Sequence, residues 1–338
     1  MKALTLNEVC DPPKFAIEDA PMPVAQKGEA VVRMAAAGLN HRELWIVKGQ
    51  YPGMALPATL GADGAGKVAS VGPGGDDALV GQDVVLYPGL DWGDDPQYPA
   101  AQFGLLGMPG PGTIAEYICV PVQNIFPRPA HLDPLQAAAL PLATLTAWRG
   151  LVTKAGLKSG ERLLITGVGG GVAVQALALA SAMGAETWVT SGSDDTIAWA
   201  EAHGAAGGVN YNKEKWGKEL ASLAGPIDAV FDGAPASGYP QYGRALAMGA
   251  RVVIYGSTAG MAFPVNAPEL FLKNLKIMGT NVGNIEEFSA MLDFVNEHKL
   301  TPEVERVFPF DEAADAIAFL GEGHSLGKVM IEIAPEAG

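Results

Sequence analysis

Gly167, Gly169, Gly170 and Gly171 follow directly on an apolar run that ends at Thr166, in the segment RLLITGVGGGVAVQALALA. Glycine lets a backbone turn sharply and approach a ligand closely. A helix that opens there presents unpaired N–H groups and a positive dipole end to an anion. The chemistry is pyrophosphate binding, and the ligand class a dinucleotide. The fit to G-x-G-x-x-G is incomplete, because the third glycine position holds Val172. The variant Gly167-x-x-Gly170-x-x-Ala173 fits better. A purely structural glycine turn is the competing reading. Context favours the ligand: a predicted strand precedes the cluster, a helix follows, and a second strand–helix unit stands behind it.

The second strand bears on which dinucleotide. An acidic residue about twenty positions past the glycines would accept the ribose 2′-hydroxyl of NAD. Here the strand ends on Ser191-Gly192-Ser193. A serine can donate to a 2′-phosphate that a carboxylate would repel, so the expected cofactor is NADP, with NAD the second choice. No arginine or lysine stands beside Ser191. Tyr211 and Lys213, in NYNKEKW, are candidates to cover the phosphate, and Lys213 reads equally well as a solvated surface lysine. Asp194 and Asp195 read as dipole partners in the first turn of the next helix.

The elements that must position these residues follow from the same pattern. From Pro134 onward the sequence alternates helix and strand: DPLQAAALPLATLTAWRGLV, ERLLIT, GGVAVQALALASAMG, ETWVT, DDTIAWAEAHG, IDAVFDGA, GARVVIYG and LKIMGTN. That alternation implies a parallel, doubly wound sheet. The first third differs. EAVVRMAAAGL, GAGKVASVG, QDVVLYPG and AEYICVP read as short strands broken by Gly and Pro, hence a barrel-like β domain. IEEFSAMLDFVNEH is an amphipathic helix and GKVMIEI a closing strand. The expected division is a β domain over 1–125, a nucleotide-binding domain over 126–281 and a return to the first domain over 282–338.

Bulk properties narrow the class. With 338 residues, 43 glycines and a net charge of −15, the chain suits an ordered α/β protein of two domains. So acidic a chain has no footprint for nucleic acid and is repelled by anionic membrane surfaces. The run from Leu163 to Ala185 is uncharged and long enough to span a bilayer, but its glycines make it a buried strand, turn and helix. The N-terminal residues lack an apolar signal core, so a cytoplasmic protein is expected. Two cysteines, Cys10 and Cys119, make neither a disulfide framework nor a Cys-rich zinc site.

The whole chain resembles the medium-chain dehydrogenase/reductase family. The resemblance is carried by Gly38-Leu39-Asn40, Gly49-Gln50-Tyr51-Pro52, Leu60-Gly61-Ala62-Asp63-Gly64-Ala65-Gly66, Gly112 to Tyr117, Thr144 to Trp148, the Gly167 cluster and Gly327-Lys328-Val329. It implies a GroES-like β domain plus a Rossmann domain. It also implies a comparison with the family's zinc enzymes, whose ligand positions align with Asn40, Ala62 and Leu142. Ala and Leu cannot ligate, and catalytic zinc normally needs three protein ligands. The stretch matching the structural zinc lobe holds no cysteine, so no metal is expected. His41, the nearby imidazole, reads as a surface or structural residue.

Without zinc, hydride transfer to a conjugated acceptor is the easier chemistry, because its charge spreads and ordinary hydrogen bonds can hold it. The resemblance implies a quinone or enone reductase in which Asn40 donates its amide near the reacting carbonyl and Tyr51 gives a proton. It places Thr144 near the nicotinamide. Asn40 could instead tie loops together, and Tyr51 could simply pack. Trp45 and Trp92 line the pocket or pack. Asp63 is expected to orient Arg42 or Lys48. Ser257, at a strand C-terminus, and Asn281, after IMGT, are further cofactor candidates. LKIMGTN resembles the family's edge strand, which implies a homodimer. An enoyl-thioester reductase and a non-catalytic NADPH-binding protein stay open as alternatives.

Overall fold

The computed structural model describes residues 1–11, 13–323 and 326–334. The chain divides into two compact units, Met1–Leu145 with Gly283–Gly338, and Thr146–Val282. The boundary falls later than the sequence places it, because residues 126–145 pack with the first unit. Pro141 divides the expected long helix of this segment into Pro134–Ala138 and Pro141–Trp148. The shorter helix is capped by Asp133, whose Oδ1 accepts the Gln136 N–H at 2.8 Å, and has Pro134 in its first turn. The Ala138 carbonyl approaches the first unit's sheet at Gly38, where a Cβ would stand 2.7 Å from it.

The first unit is built on a sheet in the order Ile125–Pro127, Asp83–Leu86, Asp63–Val71, Glu29–Gly38, Lys328–Glu332 and Val304–Pro309, with Tyr117–Pro121 also paired to Glu29–Gly38. Register in this sheet is what assembles the site. Gly38 pairs with Asp63 on one side and with Met330 on the other, both antiparallel. Carried two residues further, the second register brings Asn40 opposite Lys328. The helix His41–Val47 starts there. Leu4, Leu39, Ile46, Leu60, Ile317 and Ile331 belong to the apolar core beneath it.

The second unit is a six-stranded parallel sheet in the order Gly207–Asn210, Glu186–Ser191, Arg162–Ile165, Ile227–Asp232, Leu246–Ile254 and Lys276–Gly279. This is the doubly wound order, and it reverses between Arg162–Ile165 and Ile227–Asp232, where such sheets bind ligands. The uncharged run becomes the buried strand Arg162–Ile165, a glycine loop and the helix Gly171–Ala182. Among the described residues, no helix is long and apolar enough to cross a membrane.

Candidate functional site

In the second unit the glycine loop leaves the sheet with Gly167 at φ +64° and Gly169 at φ +136°, conformations that L side chains rarely adopt. The Gly167 N–H donates to Thr190 Oγ1 at 3.0 Å, and the Val168 N–H to the Thr190 carbonyl at 2.8 Å. Gly170 is the N-cap of Gly171–Ala182 and has no side chain to cap it, so the first turn, with Gly171 and Val172, keeps open N–H groups. A Cβ placed on Gly167 or Gly170 would meet nothing within 4 Å. Open space over an uncapped helix N-terminus fits a dinucleotide pyrophosphate.

Ser191 is buried at its strand end, and its Oγ accepts the Ser193 N–H at 3.3 Å. Ser193 caps the following helix, whose first turn holds Asp194 and Asp195. Tyr211 lies against Gly192, where a Cβ would stand 2.8 Å from its Oη. Lys213 is 3.9 Å from Glu219, an exposed pair. Ser257 and Asn281 are both exposed, beyond the ends of their strands. Asp232, at the point of strand reversal, is a site residue that the sequence reading missed. Its fully buried carboxylate accepts from Thr166 Oγ1 and Tyr242 Oη, each at 2.6 Å, and from the Ala234 N–H at 2.7 Å. Burial, and then the Asp232 charge, raise the Tyr242 phenol well above its ordinary pKa.

In the first unit the side chains of Asn40, Asp63 and Lys328 form one buried cluster. Lys328 is 2% exposed and Asp63 0%. The Lys328 ammonium donates to the Leu39 carbonyl at 2.7 Å, to Asn40 Oδ1 at 2.7 Å and to Asp63 Oδ2 at 2.8 Å. Asn40 Nδ2 donates to the same Asp63 oxygen at 2.9 Å. The other carboxylate oxygen accepts the Leu142 N–H at 2.8 Å, and Thr113 Oγ1 donates to the Asp63 carbonyl at 2.7 Å. The expectation for Asp63 is therefore corrected: its cationic partner is Lys328, not Arg42 or Lys48. A buried ammonium costs several kcal/mol unless paired and hydrogen-bonded, and here every donor has an oxygen.

Arg42 pairs instead with its neighbour. Its Nη1 donates to Glu43 Oε1 at 3.1 Å and to the Leu106 carbonyl at 2.8 Å. Glu43 Oε2 accepts the Asn40 backbone N–H at 2.9 Å. Burial pushes the Glu43 carboxyl above its ordinary range, against the pull of Arg42. Arg42 Nε donates to Tyr51 Oη at 3.4 Å, with the guanidinium 4.9 Å from the ring centre. Tyr51 is half-buried on the same core. Asn40 and Tyr51 thus belong to one hydrogen-bonded series that runs through Glu43 and Arg42. Of the tryptophans, Trp45 is exposed at 39%, while Trp92 packs on Phe103 and donates to the Asp95 carbonyl. His41 opens the helix at the surface.

Thr144 sits in the helix Pro141–Trp148 of the same unit. It is fully buried, and its hydroxyl has no hydrogen-bond partner among the described residues. An orphaned buried hydroxyl costs about 1–3 kcal/mol, which a ligand can relieve.

Comparison with known proteins agrees with both units. Residues 26–130 match the alcohol dehydrogenase GroES-like domain, and residues 171–297 the zinc-binding dehydrogenase model. The chain is 37% identical to a zinc-type alcohol dehydrogenase-like protein, YogA, of Leptosphaeria maculans, over 92% of each chain. It is 27% identical to quinone oxidoreductase-like protein 2 of Bos taurus, over 94% of this chain and 88% of that one. A crystal structure of an NAD-dependent alcohol dehydrogenase superposes with a TM-score of 0.92 at 35% identity, covering 99% of this chain and 100% of that one.

The relatives' names raise zinc, and the residues here do not fit it. Of the three positions expected to ligate, Ala62 and Leu142 carry no donor atom. The oxygens of Asn40 and Asp63 already hold an ammonium at 2.7 and 2.8 Å, which would repel a second cation. Among the described residues, no group of three or more His, Cys, Asp or Glu could hold a metal ion.

Proposed function

The chain belongs to the medium-chain dehydrogenase/reductase family, and from that premise we propose that it is a zinc-independent oxidoreductase acting with NADPH on a quinone or an α,β-unsaturated carbonyl. The observation that carries the reading is the Lys328–Asp63–Asn40 cluster: the acceptors that a metal would need are held by an internal ammonium.

When bound, NADPH supplies a hydride. The residues of this chain do the rest. Gly167, Gly169, Gly170, Gly171 and Val172 take the pyrophosphate, and Ser191, Gly192, Ser193 and Tyr211 face the ribose phosphate. Ser257 and Asn281 serve the nicotinamide end, as does the Thr144 hydroxyl, which has no hydrogen-bond partner among the described residues. The Asn40 amide donates to the acceptor's carbonyl oxygen, where charge develops. Tyr51 supplies the proton, its hydroxyl held by Arg42. Neutral hydrogen bonds of this kind suit a delocalised enolate or hydroquinone anion better than a localised alkoxide. Ser191 in place of a strand-end carboxylate supports NADPH over NADH. The likeness to a quinone oxidoreductase-like protein supports the acceptor class.

The test is nicotinamide oxidation with NADPH and with NADH against a panel of 1,4-quinones and simple enones. Faster turnover with NADPH, and with conjugated acceptors over simple ketones, is the expected result. Cofactor binding without turnover of any acceptor would favour a non-catalytic NADPH-binding protein.

A further inference from the structure

We propose that Lys328, acting with Asp63, is a positioning residue that fixes the Asn40 amide in the one orientation able to hold an uncharged carbonyl. The inference rests on the reductase reading above, and it concerns which group makes Asn40 competent.

The chemistry of the three side chains decides the orientation. An ammonium can only donate, so the atom of Asn40 that faces Lys328 at 2.7 Å must be the oxygen. A carboxylate can only accept, so the atom that faces Asp63 Oδ2 at 2.9 Å must be the nitrogen. A flipped amide would put N–H against N–H and oxygen against oxygen. Nδ2 carries two hydrogens and one is used on Asp63. The other has no acceptor among the described residues.

Lys328 itself is excluded from direct contact with an acceptor. Its three hydrogens go to Leu39, Asn40 and Asp63, and it is 2% exposed. It therefore acts through Asn40. Within the cluster Lys328 and Arg42 each already face a carboxylate, Asp63 and Glu43, so neither is offered to a carboxylate ligand. A neutral quinone or enone suits such a cluster.

The test is a double-mutant cycle on NADPH-dependent quinone reduction, with Asn40→Ala, Lys328→Met and the double variant. Loss of one oxyanion donor lowers kcat by on the order of a hundredfold. We expect Asn40→Ala to approach that loss. Lys328→Met should lose at least about tenfold in kcat with NADPH affinity unchanged, and Lys328→Arg should recover part of it. The double variant should be no slower than Asn40→Ala, because Lys328 works only through that amide.

Should Lys328→Met not fold, wild-type enzyme carrying 15N in its asparagine side chains gives a second readout, with the Asn40 signal assigned by its loss in Asn40→Ser. One Asn40 amide proton should shift when a non-reducible quinone analogue is added, and its partner on Asp63 should stay. Multiplicative losses in the double variant, or two amide protons that exchange places by free rotation, would overturn the role of Lys328 and leave the reductase reading standing. Full activity in Asn40→Ala would remove Asn40 from the site and the inference with it. No turnover by wild type with any acceptor would overturn both.

Discussion

Thr144 and Cys119 are two side chains whose surroundings make opposite demands. The Thr144 hydroxyl is buried with no hydrogen-bond partner among the described residues, so Thr144→Val exchanges it for a methyl of the same shape. Without cofactor, this variant should be as stable as wild type or slightly more so. Its NADPH affinity should fall roughly threefold to tenfold, the worth of about 0.5–1.5 kcal/mol. Calorimetric melting and NADPH titration read the two effects, and an unchanged affinity would take Thr144 out of the cofactor site. Cys119 is quiet. Burial, and then Glu29 at 3.5 Å, push its thiol up to about 11 from 9.0. At neutral pH it is protonated, so a thiol reagent should react slowly and speed up with alkali. The folded pKa lies above the unfolded one, so the associated stability holds below about 9 and is lost as pH rises towards about 11. Rapid neutral-pH alkylation at Cys119 would contradict this. Legibility at this scale is uneven. Asn40 and Asp63 stand out because they occupy positions where metal ligands and their neighbour would be. Their partner did not, since Lys328 is 288 residues from Asn40 and nearer cations in sequence looked more plausible. The available signal was a lysine opening an otherwise apolar strand, GKVMIEI.

At the scale of elements, the glycine loop separates folding from binding. Gly170 has an extended backbone, φ −66° and ψ 147°, which alanine adopts freely. A Cβ there meets nothing within 4 Å among the described residues. Gly170→Ala should therefore keep the melting temperature within the equivalent of about 1 kcal/mol. The same methyl occupies the space proposed for the pyrophosphate, and NADPH affinity should fall about tenfold or more. A variant that binds NADPH normally would move the phosphates elsewhere. The strands and helices were largely legible. Apolar runs punctuated by Gly and Pro marked many strands of both units, but not Lys2–Glu8, Gly207–Asn210 or Val304–Pro309, and Pro134 marked a helix start. The unit boundary was not, because a helical period does not tell which sheet the helix packs on. The Asp232 cluster was also hidden, since a lone Asp at a strand end carries no sign of the Thr166 and Tyr242 hydroxyls that meet it.

For the whole molecule, the strand Lys276–Gly279 ends the six-stranded sheet, and among the described residues it pairs on one side only. Phe271 and Leu272, just before it, are each 65% exposed. Unpaired strand edges beside apolar surface invite a second copy. Sedimentation should give a homodimer of twice the 35.0 kDa chain, and Phe271→Glu should shift it towards monomer. A monomeric wild type at micromolar concentration would contradict this.

An internal ammonium holds the Asn40 and Asp63 oxygens, so turnover in the absence of metal is the decisive measurement. The enzyme would be stripped with a strong chelator, its residual metal measured by mass spectrometry, and NADPH oxidation by a 1,4-quinone followed before and after. The same rate is expected in both samples, with far less than one zinc per chain. Activity that disappears with the chelator and returns with added zinc would contradict it.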